Sequence, residues 1–173
     1  MSRFKKVIRN IILICIFFFL FLKLTGLFLN PLSAHEQSER RSLYGPSEII
    51  HIEDYDNKKY ILGKYDKWVS CNVLNRYLYF FWYGTNPIGF ENTNSKAIEY
   101  TWNMSYNSLK IYGIINDKQI TKIVIDVDDG ITTTITEFYD DLFLFVCNLD
   151  SNKLGHTIKG YDSNDNLIYE IVY

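Results

Sequence analysis

Residues 108–127 read SLKIYGIINDKQITKIVIDV, and this stretch decides the fold. Two runs, SLKIYGII (108–115) and ITKIVIDV (120–127), flank a polar turn at Asn116-Asp117. Both are too short for an ordinary helix and rich in Ile, Val and Tyr, residues that suit a half-buried pleated surface. In the second run Ile123, Ile125 and Val127 alternate with Lys122, Val124 and Asp126, so a strand there has one apolar face and one mixed face.

The same texture continues downstream in ITTTITEFY (131–139), LFLFVCNL (142–149), HTIKGY (156–161) and NLIYEIVY (166–173). Turns fall at Asp128-Asp129-Gly130, Asp140-Asp141, Asp150 to Gly155 and Ser163 to Asp165. Upstream, EIIHIEDY (48–55), KYILGKY (59–65), WVSCNVL (68–74) and YLYFFWY (77–83) read as a four-strand meander. Its bends are expected at Asp56-Asn57, Asp66-Lys67 and Asn75-Arg76, connections short enough only for hairpins. Between the two blocks, GTNPIGFENTN (84–94) breaks the pattern. Residues 94–104 then form the one short helix expected in the body, capped by Asn94 or Ser95, with Ile98 and Trp102 four apart and Ala97, Thr101 and Met104 on a neighbouring strip. Residues 48–173 thus make one mainly β body, an antiparallel meander (48–83) and a sandwich-like set of strands (108–173). The 173 residues leave too little material for a second full core.

The N-terminal end differs in kind. Arg3, Lys5, Lys6 and Arg9 precede twelve consecutive apolar residues, Ile11 to Leu22, continued after Lys23 by LTGLFL to Leu29. A helix over 11–29 reaches about 28 Å, close to the ~30 Å hydrocarbon core, with Lys23 near enough to one end to snorkel. Residues 1–29 therefore read as a basic stub and a transmembrane anchor, contacting the membrane through residues 11–29. Residues 30–47, polar and without a sustained period, read as a tether. The competing reading is a cleaved signal, for which Leu32-Ser33-Ala34 offers a poor small-x-small site. Cys15 follows Ile14 inside the apolar run, which suits a small apolar residue in a membrane helix better than a lipidation site. Positive charge ahead of the helix keeps the N-terminus cytoplasmic and the body outside. From residue 31 onward the net charge is −7, which argues against nucleic acid as a partner.

Three segments, YGIINDKQITKIVIDVDDG (112–130), EFYDDLFLFVCNL (137–149) and IKGYDSNDNLIYE (158–170), resemble the uncharacterised single-anchor cell-surface β-domain proteins of low-GC Gram-positive bacteria. A strand ending in a GxxND turn and a closing strand after a D-x-N-D-N turn carry the resemblance over residues 108–173, and KWVSCNVLNRYLYFFW (67–82) adds to it weakly. The resemblance implies a β fold and a surface location and brings no catalytic residues.

An EF-hand loop starting at Asp162 has ligands at Asn164 and Asn166, but Leu167 replaces the glycine and Tyr173 the glutamate. Loops starting at Asp126 or Asp150 fail in similar ways, so the turn acids serve backbone turns. His35, His51 and His156 lack zinc spacing, and no metal, cofactor or catalytic motif is present. Cys71 and Cys147 are the only cysteines of the body and each sits in a strand. Outside the cytoplasm they form a candidate disulfide, and otherwise two buried thiols packed as small apolar residues. Tyr77, Tyr79, Phe81 and Tyr83 fall on one face of a strand and form a candidate aromatic binding face, unless that strand is buried on both sides.

The expectation is a membrane-anchored binding domain without enzymatic activity, its partner a surface protein or a cell-wall glycan. One alternative is a secreted hydrolase-like protein using the acidic turns Asp128, Asp129, Asp140 and Asp141. Another is a small membrane-bound immunity or envelope-stress factor whose helix contacts a partner.

Overall fold

A computed structural model describes residues 3–105, 108–128, 130–149 and 155–173. The N-terminal apolar segment is one continuous helix, α1 (Arg3–Thr25), and a second helix, α2 (Pro31–Arg41), follows directly. The strands among the described residues are β1 (Glu48–Tyr55), β2 (Lys58–Tyr65), β3 (Trp68–Tyr77), β4 (Phe81–Gly84), β5 (Ile88–Glu91), β6 (Ile98–Ser105), β7 (Ser108–Ile115), β8 (Lys122–Val127), β9 (Ile131–Ile135), β10 (Leu142–Asn148), β11 (His156–Tyr161) and β12 (Leu167–Val172). All pair antiparallel, which makes the body mainly β.

They form three sheets. The first runs β1-β2-β3, with β4 and β5 sharing the far edge of β3, the second is β10-β7-β6, and the third is β12-β11-β8-β9. Every residue of β7 is buried, because this strand lies at the centre of the middle sheet with a sheet on either side. Its residues alternate between two cores. Tyr112 and Ile114 pack with Tyr60, Leu62, Val69, Cys71, Leu142, Leu144 and Val146 against the first sheet. Leu109, Ile111 and Ile115 pack with Ile98, Ile123, Ile125, Phe143, Cys147 and Ile158 against the third. Gly113 lets Phe143 lie across β7, since a Cβ there would stand only 2.8 Å from Phe143 Cε1. The two strand blocks therefore share one stack, and residues 108–173 are divided between its middle and outer sheets.

Residues 30–47 are not a tether. Asn30 caps α2 by accepting from Leu32 N at 2.9 Å, Pro31 opens the helix, and Arg40 and Arg41 sit in its last turn. The helix covers the outer face of the first sheet, where Ala34 packs with Ile61, Leu74 and Trp82. The rest of its buried face is polar. Asn72 Nδ2 meets His35 Nδ1 at 2.9 Å and donates to Ser38 Oγ, while Ser47 Oγ donates to Glu39 Oε1. His35 Nε2 lies 3.3 Å from Glu39 Oε1, out of hydrogen-bond alignment. A helix that docks through Ala, His, Ser and Glu carries no apolar stripe for a period search to find.

Residues 94–104 are not a helix. Ile98–Ser105 form the edge strand β6, with Ile98, Tyr100, Trp102 and Met104 turned toward the third sheet. The Ile98–Trp102 spacing of four satisfies period 2 as well as a helical turn, and the β-branched and aromatic content favours the strand. The expected cap instead latches a loop, as Glu99 Oε1 accepts from Ser95 N at 2.7 Å and Glu99 Oε2 from Thr93 N at 3.0 Å.

Candidate functional site

A groove lies between the first and middle sheets, at the end formed by β2–β4 of the first and β6–β7 of the middle. The groove there has a volume of about 410 Å³ and is lined in part by Lys58, Asn75, Tyr83, Asn86, Asn103 and Lys110. Strand alternation puts these groups there. Lys58, Asn75 and Tyr83 point from β2, β3 and β4 toward the middle sheet, and Asn103 and Lys110 point back from β6 and β7.

Lys110 is the unusual member, being 4% exposed within a strand buried on both faces. Its Nζ donates to Cys71 O at 2.8 Å and stands 5.1 Å from the centre of the Tyr112 ring. Among the described residues no carboxylate pairs with it. Burial holds its ammonium below the usual lysine range. Burial also pushes the Cys71 thiol up to about 11, with the lysine charge opposing, so the thiol is neutral at ordinary pH. Nearby, Tyr60 Oη and Ser108 Oγ are 3.2 Å apart, and Tyr112 Oη donates to Ile88 O. The groove thus presents amides and hydroxyls, a half-exposed Tyr83 ring, and a cation held in a dry place without a counter-charge among the described residues. Such a lining suits a polar ligand that brings a negative group with it. The sequence did carry a signal of it: one lysine inside the otherwise apolar run SLKIYGII.

The expected aromatic face is not formed. The third bend of the first block lies at Leu78–Phe80 and not at Asn75-Arg76, so Tyr77 and Phe81 face each other across a hairpin. Leu78 and Tyr79 adopt φ of 48° and 66°, and Arg76 Nε donates to Tyr79 O to close the turn. Tyr79 is at the tip, Phe81 is buried, and of the four aromatics only Tyr83 lines the groove. Nothing local marks this bend, since Leu and Tyr are poor left-handed residues.

Cys71 and Cys147 are not brought together. Cys71 faces the core between the first and middle sheets, Cys147 the core between the middle and third, so the middle sheet separates the sulfurs and no bridge joins them. The acidic turns do not converge on the groove. Asp140 pairs with Lys64, which holds its carboxyl below the usual range, Asp141 pairs with Lys118, Asp128 is exposed, and Asp129 lies outside the described residues. Asp162 accepts from Asn164 N and Asn166 N at 2.8 and 2.9 Å, closing the last turn, whereas Asp150 lies outside the described residues. His51 stacks on Tyr139 at 3.5 Å, and His156 meets Tyr100 Oη at 3.2 Å. Among the described residues no group of three His, Cys, Asp or Glu side chains is placed to hold a metal ion.

α1 is long and apolar enough to cross a membrane, and only 6% of its most apolar window is covered by protein, unlike the core helix of a soluble domain. A membrane anchor and a signal sequence share these properties. Compared with known proteins, the chain matches no family model and no curated protein.

Proposed function

We propose that this chain is a membrane-anchored, non-enzymatic binding module whose β body faces the outside of the cell and whose groove takes a carboxylate-bearing glycan. The observation that carries the reading is Lys110, a buried ammonium at a groove otherwise lined by amides, hydroxyls and Tyr83. Hydroxyl and amide partners suit sugar hydroxyls, an exposed ring suits a sugar face, and a desolvated cation selects an acidic sugar over a neutral one. The uncovered apolar helix with basic residues ahead of it, and the negative body behind it, support the topology. The resemblance to single-anchor surface proteins points the same way.

Two experiments test this reading. Full-length protein in lipid nanodiscs is titrated with acidic and neutral oligosaccharides derived from cell wall. Binding of the acidic ones only, lost in Lys110→Met and weakened in Tyr83→Ala, is the expected result. Equal binding of neutral sugars, or binding unchanged in Lys110→Met, would refute the site. Protease added to intact protoplasts should digest the body, and a protected body would refute the orientation.

A further inference from the structure

Several features meet at the tip of the β3–β4 hairpin. Tyr77, Leu78, Tyr79 and Phe80 are 49%, 57%, 86% and 56% exposed, a continuous apolar cap on a turn where polar residues are the rule. Directly behind the cap the hairpin lies against α1. The Phe81 ring is 6.4 Å from the Phe18 ring and 4.6 Å from the Phe80 ring, and Phe28 pairs with Trp82 through Phe28 N to Trp82 O at 2.8 Å and Trp82 N to Phe28 O at 2.7 Å. Phe18 precedes the helix end at Thr25 by seven residues, about 10 Å along the axis. The hairpin therefore runs back beside the helix instead of away from it. One residue pair inward from the cap, the chemistry changes to a mixed band. Arg76 Cζ and Lys59 Nζ stand 5.4 and 5.5 Å from the centre of the Trp82 ring. An apolar end followed by Trp, Arg and Lys is the order in which side chains meet hydrocarbon and then headgroups.

We propose that the Leu78–Phe80 tip is a second membrane contact, dipping into the leaflet that holds the C-terminal half of α1, with Trp82, Arg76 and Lys59 at headgroup level. This rests on reading α1 as a retained anchor, because the bilayer reaches the tip only if it surrounds Phe18. Two contacts instead of one fix the rotation of the body about the anchor. They also hold the groove at a set height above the bilayer, since its residues Asn75 and Tyr83 lie on the strands of the hairpin and Lys58 on the adjoining β2.

The test uses full-length protein reconstituted in phosphatidylcholine vesicles, with an environment-sensitive fluorophore on single exposed cysteines. One sample carries the label on native Cys15. The others carry Cys15→Ser together with Tyr79→Cys, Phe80→Cys or Gln119→Cys, the last at the opposite end of β7 from the groove. Cys71 and Cys147, both buried, remain in place. Thermal unfolding matching that of Cys15→Ser establishes that each variant is folded, and two tip positions guard against loss of either one. Lipids carrying a nitroxide high on the acyl chain are then added as quencher. The expected result is a blue-shifted, quenched emission at Cys15 and at the tip, with no quenching at Gln119→Cys. Quenching at Cys15 but not at a folded tip variant would overturn the tip contact and leave the anchor standing. Absence of quenching at Cys15 would overturn the anchor reading and the tip contact with it.

Discussion

Lys110→Met keeps the length and volume of the side chain while removing its ammonium. In the native protein Lys110 is 4% exposed, its ammonium making one hydrogen bond to Cys71 O with one ring beneath it. Removing an ammonium from water costs several kcal/mol. Against this stand a hydrogen bond from a charged donor, about 1.5–3 kcal/mol, and a desolvated cation–ring contact, about 2 kcal/mol. Methionine removes all of these terms and fills the space but leaves Cys71 O without that donor, which cancels part of the gain, so the variant is expected to be more stable by about 1 kcal/mol at neutral pH. For a chain of this size the gain raises Tm by about 2–4 °C. The sign also depends on pH. The folded pKa of Lys110 lies below the unfolded value, so between the two the unfolded chain binds the extra proton and wild-type stability rises with pH. Lys110→Met lacks that rise, and its advantage shrinks as pH climbs toward about 10.4. Denaturant unfolding of the detergent-solubilised full chain, followed by tryptophan emission, measures both effects. A variant less stable than wild type at neutral pH, or an advantage that does not change with pH, would refute the view that this lysine is kept at the expense of stability.

Two further outcomes follow from buried groups. In the folded protein Cys71 and Cys147 should resist Ellman's reagent, being 1% and 7% exposed, with the Cys71 thiol pushed up to about 11, and both should react after denaturation without reductant. Failure to titrate in the denatured chain would mean that the sulfurs are bonded and the three-sheet stack is wrong. His35 is held below the usual histidine range by burial, against the opposing pull of Glu39 and Glu36. Its contribution to stability is therefore complete above the unfolded pKa of about 6.5 and is lost as pH falls toward the folded value. Acidification should loosen α2 and red-shift Trp82 emission as Ala34 leaves, and His35→Gln should flatten that acid slope whatever its stability at neutral pH. Identical acid slopes for wild type and variant would sink the assignment.

Composition and pattern alone determined that this chain is mainly β and carries an apolar N-terminal helix. Short runs such as KIVIDV alternate locally, and the Asp56-Asn57 and Asp66-Lys67 bends announce themselves because Asp and Asn accept left-handed φ. Where local signals were ambiguous or absent, tertiary structure decided. The spacing in Ile98–Trp102 fits a strand as well as a helix, and β7 supplied the partner that selects the strand. α2 docks through polar groups whose partners, Asn72 and Ser47, are supplied by the folded sheet and loop. The Leu78–Phe80 bend is closed by Arg76, and the adjoining Phe81 ring meets Phe18 of α1, neither of which is a turn signal. The groove and the separation of Cys71 from Cys147 depend on the order in which three sheets stack. Alternation along a strand tells which residues share a face, but the surface that each face meets is set by packing between elements far apart in the chain.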